Sequence, residues 1–194
     1  MAEKEQIILG SGNVHISTFN GTMPDPTEFC EEDNRMAYIS GGATLEYKPT
    51  YYTAKDDSGK KSKTVMTEEE VTLKTGIMTF NSEVFKKMCD TARVSNFTGK
   101  NKKTYERIKF GGISNQRGEK FVICFHYEDK TDGDIYVMIV GSNQAGFSLA
   151  FAKDKETVTD AEFKAEPMDD EGTLIDFYEE AGTATATSSQ TSGS

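Results

Sequence analysis

Apolar and polar positions alternate along much of this chain with the two-residue period of β-strands. Residues 121–127 read FVICFHY, with Phe121, Ile123, Phe125 and Tyr127 on one face and Val122, Cys124 and His126 on the other. Residues 135–140 (IYVMIV) are apolar on both faces, and the DKTDGD stretch at 129–134 predicts a hairpin turn between the two runs. Residues 146–152 (GFSLAFA) alternate Phe147, Leu149 and Phe151 with small residues and predict a third central strand. Strands apolar on both faces need cover on both. One cover is the domain's own core, and the other is expected from a helix or a neighbouring subunit. Further strands are predicted at residues 6–17, 43–53, 63–75, 105–110, 157–165 and 173–178, punctuated by glycine turns at 10–12, 41–42 and 111–112. Short strands with frequent glycine punctuation suggest a sandwich or barrel.

One segment breaks the alternation. Across residues 82–92, Val84, Phe85, Met88, Cys89 and Ala92 form a single apolar stripe at helical spacing, with Asn81 or Ser82 as N-cap. A helix of this length packs on a sheet rather than standing alone. Between the strands around Tyr47 and Val71, the centre at 56–63 is charged and turn-rich and predicts a long projecting hairpin tip. Residues 182–194 (GTATATSSQTSGS) are low-complexity and polar and are expected to form a flexible tail after one domain spanning 1–181.

Charge adds a second level of organisation. The chain has 194 residues with 22 basic and 32 acidic side chains, a net charge of −10. An acidic chain does not suit a protein that grips nucleic acid over its whole surface. The charge is also segregated. Residues 86–109 carry eight basic and two acidic groups (8 − 2 = +6), whereas 153–180 carry three basic and eleven acidic groups (3 − 11 = −8). Surfaces of opposite sign let copies meet head to tail. No run approaches the length of a membrane-spanning helix. The opening MAEKEQIILGSG has no basic region followed by an apolar one, so no signal peptide is expected. Cys30, Cys89 and Cys124, at unrelated spacings, are expected to be reduced thiols of a protein made in a cytoplasm.

Candidate chemistry is sparse. The GxGxxG, P-loop, HExxH, GxSxG and CxxC patterns do not occur. His126 follows Cys124 at Cys-x-His spacing, but zinc requires three or four ligands and none are grouped nearby, so a core histidine is expected there and at His15. Asp129, Asp132 and Asp134 lack calcium-loop spacing and read as a turn. The carboxylates at 169–171 have no opposed partner and read as a polar loop. The basic run at 100–109, with Tyr105 and Phe110, reads as a basic loop and strand edge. Tyr47, Tyr51 and Tyr52 are candidate aromatics for a carbohydrate-binding groove. No catalytic, cofactor-binding or metal site is expected, and the chain reads as a binding or assembly module rather than an enzyme.

Three stretches together carry a resemblance. These are ISGGATLEYKPTYYTAK at Ile39–Lys55, TEEEVTLKTGIMTFNSEVFKKMCD at 67–90, and VTDAEFKAEPMDDEGTLIDFYEE at 158–180. In order and character they resemble the major tail tube proteins of tailed bacteriophages and prophage-derived particles. The resemblance implies a mainly β fold: a β-sandwich or open barrel flanked by one α-helix, with a long protruding hairpin. It implies homohexameric rings stacked into a hollow tube through which DNA passes to the host without specific binding. The inner tube of a contractile tail or of a phage-tail-like bacteriocin particle would look similar. Other implied partners are the tape measure, tail tip and terminator proteins, and the implied location is the virion tail, after synthesis in the host cytoplasm. The hairpin around 48–66 corresponds to the stacking loop of that family, which places Lys55, Asp56, Asp57, Lys60, Lys61 and Lys63 at a ring–ring contact. An acidic lumen would repel the DNA backbone, and Asp160, Glu162, Lys164 and Glu166, on one face of a predicted strand, are the candidate lumen-facing set.

Overall fold

The alternating runs pair into one large antiparallel sheet in the computed structural model, which describes residues 12–130, 133–151, 153 and 156–180. The predicted strand segment at 6–11 and the predicted tail at 182–194 lie outside the described residues. Strand β1 spans Asn13–Thr18, and a single helical turn, α1, spans Pro26–Phe29. Then come β2 (Arg35–Ala37), β3 (Ile39–Lys55), β4 (Ser62–Ile77) and helix α2 (Ser82–Met88). Strands β5 (Arg93–Thr98), β6 (Thr104–Lys109), β7 (Phe121–Tyr127), β8 (Ile135–Asn143), β9 (Thr159–Glu166) and β10 (Asp176–Glu179) follow. The sheet order is β2-β1-β7-β8-β9-β4-β3, with β10 also on β8, while β5 and β6 form a separate two-stranded sheet.

That order closes on itself. Its two end strands, β2 and β3, are consecutive in the chain, with only Tyr38 between them. Backbone bonds on either side of this joint hold β2 to β1 and β3 to β4, and Tyr38 itself accepts from the Met78 amide at 2.9 Å. The sheet therefore curls into a barrel whose seam is a covalent run of chain. Gly41 and Gly42, both in the left-handed region (φ 80° and 73°), supply a bulge in β3 where its register with β4 shifts. The sequence reading places a turn at this pair. The glycines instead bend one continuous strand.

The barrel interior is apolar. Val14, Ile16, Leu73, Ile77, Ile123, Ile139 and Phe163 are all buried there, and α2 contributes Val84 and Met88. Full burial of each large aliphatic or aromatic side chain is worth about 1.5–3 kcal/mol. The opposite face of β7 and β8 is also covered, as its sequence demands, and the cover comes from this chain. Val122, Cys124, Met138 and Val140 lie beneath Phe29 of α1 and Met168, with Phe19, Met23 and Tyr178 packed alongside.

Helix α2 begins as expected, with the Asn81 side chain accepting from the Val84 amide at 2.8 Å. It ends at Met88 rather than at Ala92. Side chains distant in sequence take the carbonyls that a longer helix would use. Arg117 donates to the Lys86 carbonyl at 2.6 Å, and Asn143 donates to the Met88 carbonyl at 2.9 Å. The strand predicted at 146–152 does not form over its described residues, 146–151. In β9, the nearest candidate partner, β4 pairs along residues 159–164 and β8 pairs along 163–166, which leaves only the short start of one edge beside this segment. Hydroxyls tie the segment down instead: Thr159 donates to the Ser148 carbonyl at 2.5 Å and Thr157 to Ala150 at 2.8 Å. Phe147 anchors its start among Phe85 and Phe110, with ring centroids 5.2 and 4.8 Å away.

Candidate interaction surfaces

Two hairpins leave the barrel. In the first, β3 and β4 pair from Ile39↔Ile77 out to Lys55↔Ser62, but burial stops at Val71. Every residue from 50 to 70 is exposed. The outer part, from Tyr47 to Lys55, projects about 26 Å at roughly 3.3 Å per residue.

The hairpin ends in a defined turn. Asp56 accepts from the Lys61 amide at 2.6 Å and from the Ser58 hydroxyl. These bonds, the Ser58 one first, hold the Asp56 carboxyl below the usual carboxylate range. Lys55, Asp56, Asp57, Lys60, Lys61 and Lys63 are all exposed at or beside this tip, so the sequence-predicted contact residues share one place. The shaft is less polar. Tyr51 lies opposite Met66 on one face and Tyr52 opposite Val65 on the other. These four side chains are 59%, 46%, 61% and 41% exposed, respectively. Tyr47 donates its hydroxyl to Glu69 at 2.8 Å.

At the base of this arm, the outward face of β3, β4 and β9 is a ladder of opposed charges. Glu46 meets Lys48 at 2.8 Å and Lys74 at 3.7 Å, Lys74 meets Glu162 at 3.4 Å, and Lys164 meets Glu70 at 3.6 Å. Asp160, Glu162, Lys164 and Glu166 alternate along β9 with Ala161, Phe163 and Ala165, of which Ala161 and Phe163 are fully buried. The four therefore share the outward face. Glu166 pairs with Lys120 at 2.6 Å. Three of the four sit in ion pairs, and the exposed Asp160 lies at the strand's start.

The second hairpin, β5–β6, has a strand that the sequence reading missed. Residues 93–98 (RVSNFT) alternate only weakly, and their partner, TYERIK at 104–109, is itself polar. The pair stands almost wholly exposed. Phe97 faces Tyr105 across the strands, and the Arg107 guanidinium lies 5.8 Å from the Phe97 ring centre. Between residues 93 and 109 there are six basic groups and one acidic group (6 − 1 = +5).

The remaining sequence candidates serve the fold. His126 is buried, stacked on Tyr136 (centroids 4.3 Å apart, 9° between planes), with Nε2 3.1 Å from Asp134. Burial and the neighbouring Asp134 push the Tyr136 hydroxyl up to about 12. His15 is buried beside this pair. Asp169 closes its own loop, accepting from the amides of Glu171 at 3.0 Å and Thr173 at 2.9 Å. Asp129 and Asp134 bracket the turn after β7, while Asp132 lies outside the described residues. Among the described residues, no group of three or more His, Cys, Asp or Glu is placed to hold a metal ion, and no helix is long and apolar enough to cross a membrane. The surface clefts are open and mixed in polarity, such as the one between α2 and β8 lined by Lys87, Glu119 and Asn143.

Sequence reasoning also missed α1, although its signal is local. Asp25 caps it by accepting from the Thr27 amide at 2.9 Å, and Pro26 occupies the first helical position. No model of a known protein family matches this sequence, and no curated protein is significantly similar to it.

Proposed function

We propose that this chain is the repeating subunit of a hollow tail tube, assembling edge to edge into rings of six that stack through the β3–β4 arm. The exposed arm carries the proposal. Its backbone is ordered into a ladder, yet it adds nothing to the core and displays Tyr51, Tyr52, Val65 and Met66 to solvent. A long unpaired edge bearing apolar side chains is a template for another chain. In a stacked tube each such arm is met by a copy in the adjacent ring. The resemblance of the three stretches to tail tube proteins supplies the kind of polymer. On that reading the chain is a virion component made in the host cytoplasm. It works through contacts with itself and with tape measure, tail tip and terminator proteins, and it passes DNA without specific binding. The inner tube of a contractile tail or bacteriocin-like particle is the same proposal with a different sheath. No enzymatic step is proposed.

A monomeric carbohydrate-binding module fits the arm less well. Tyr51 and Tyr52 are adjacent in a strand and point to opposite faces, so they cannot line one groove. Light scattering across a concentration series, followed by negative-stain microscopy, tests the proposal. Rings or tubes of uniform width are expected. A strict monomer at every concentration, binding a glycan array, would overturn it.

A further inference from the structure

We propose that Cys30 and Cys124 form a reversible disulfide that locks α1 and its flanking segment onto the central strands, with a small-molecule disulfide such as oxidised glutathione as the oxidant. The two residues stand 94 positions apart in the chain, yet their Sγ atoms lie 3.1 Å apart. A disulfide needs about 2.05 Å, so an approach of about 1 Å completes the bond. Cys30 closes α1, and Cys124 sits mid-way along β7. Both belong to the apolar layer that covers the outer face of β7 and β8.

The two thiols are unequal in the way that thiol–disulfide exchange requires. Cys30 is only half-buried, whereas Cys124 is fully buried. The two Sγ atoms share a hydrogen bond at 3.1 Å, and His15 adds a smaller electrostatic contribution at Cys30. Together these lower the Cys30 thiol below its ordinary range, against the effect of its burial. Cys124 is pushed up, first because the bond to Cys30 holds its proton and then by burial. Cys30, the more exposed of the two, is the thiol that an incoming disulfide reaches, and Cys124 is the resolving thiol behind it.

The exchange balances. Cys30 thiolate attacks one sulfur of oxidised glutathione, forming a mixed disulfide and releasing one glutathione thiolate. Cys124 gives up its proton and attacks Cys30 Sγ, which expels the second glutathione thiolate. Two protein thiols are oxidised to one disulfide, and one glutathione disulfide is reduced to two thiols. The third cysteine, Cys89, sits against the Thr91 hydroxyl at 3.5 Å and serves as an internal control. The inference rests on this thiol geometry and is independent of the assembly proposal.

The test uses the full chain, reduced with dithiothreitol, desalted and incubated with oxidised glutathione. Intact mass should fall by two hydrogens. A non-reducing tryptic digest should show the peptide of residues 5–35 joined to that of residues 121–130. The oxidised form should melt about 5–15 °C higher, reversed by dithiothreitol, because the bridge closes a long loop in the unfolded chain. Cys89→Ser should keep the crosslink, and Cys30→Ser should abolish it. The mass and digest of the unmodified chain need no variant to fold. A stable glutathione adduct at Cys30 without a crosslink, a crosslink through Cys89, or disulfide-linked dimers would each overturn the proposal.

Discussion

Excising the outer β3–β4 arm separates folding from assembly. The pair Pro49↔Glu69 lies in register, so residues 50–68 can be replaced by Asn-Gly, a two-residue hairpin connection. Everything the core uses stays behind. Val71 and Leu73 are 1% exposed, and pairing of β4 with β9 begins only at Thr72. The excision removes six cross-strand pairs, from Thr50↔Glu68 to Lys55↔Ser62, and a two-stranded ribbon in water is marginal on its own, so the arm adds little to the stability of the fold. The net change should therefore stay within about 2 kcal/mol. At roughly 2–4 °C per kcal/mol for a domain of this size, the melting temperature should move by less than about 8 °C in either direction. Far-UV circular dichroism melts measure that shift, and light scattering of the same samples measures assembly, which should be lost. A fall beyond about 10 °C would show that the arm is part of the core after all. An unchanged melt with tubes still forming would remove the arm from the assembly contact.

Two core substitutions and one charge change complete the predictions. Phe163→Ala empties a fully buried site between β4 and β8 and should cost about 3–5 kcal/mol, read as a drop of roughly 6–20 °C in the thermal melt. Gly141→Ala should also destabilise, by about 1–3 kcal/mol in urea unfolding, because its Cβ would stand 2.0 Å from the Lys164 carbonyl oxygen; a wild-type midpoint would mean that β8 and β9 are not this close. Replacing Lys100, Lys102 and Lys103 together by Glu should move the melt by no more than about 6 °C, since all three are exposed at the β5–β6 turn. Under the assembly proposal it should reduce tube yield in negative-stain counts.

Much of this architecture was legible because its cause is local. The two-sided apolar pattern of β7 and β8 marks strands covered on both faces, and the Asn81 cap marks the start of α2. The alternation of Asp160, Glu162 and Lys164 with Ala161 and Phe163 separates the faces of β9 correctly. The polar tip around Asp56 stands where the charge pattern puts it. What escaped is set by partners far along the chain. Arg117 and Asn143 decide where α2 stops, and neither is near it in sequence. Phe147, Leu149 and Phe151 have strand periodicity, but beside the start of β9 the segment is held by the Thr157 and Thr159 hydroxyls in place of a backbone ladder. The seam at Tyr38 and the approach of Cys30 to Cys124 both follow from how the sheet curls, which no short window encodes.

The location of the apolar cover bears on how such a subunit would assemble. If β7 and β8 left one face bare, folding and association would be a single event, and the monomer would be unstable alone. Here that face lies under Phe29, Met23, Met168 and Tyr178 of the same chain. The sheet's end strands are joined through Tyr38, so closure also needs no second copy. Among the exposed apolar side chains, Tyr51, Tyr52, Val65 and Met66 lie on one arm and Phe97 and Tyr105 on the other, while Ile113, Phe151 and Phe177 stand exposed elsewhere. Under the assembly proposal, a barrel finished within one chain folds first and associates afterwards, at a concentration set by the contacts between copies. Under that proposal, tube growth requires no subunit to unfold, because the contacts that would associate are separate from those that fold.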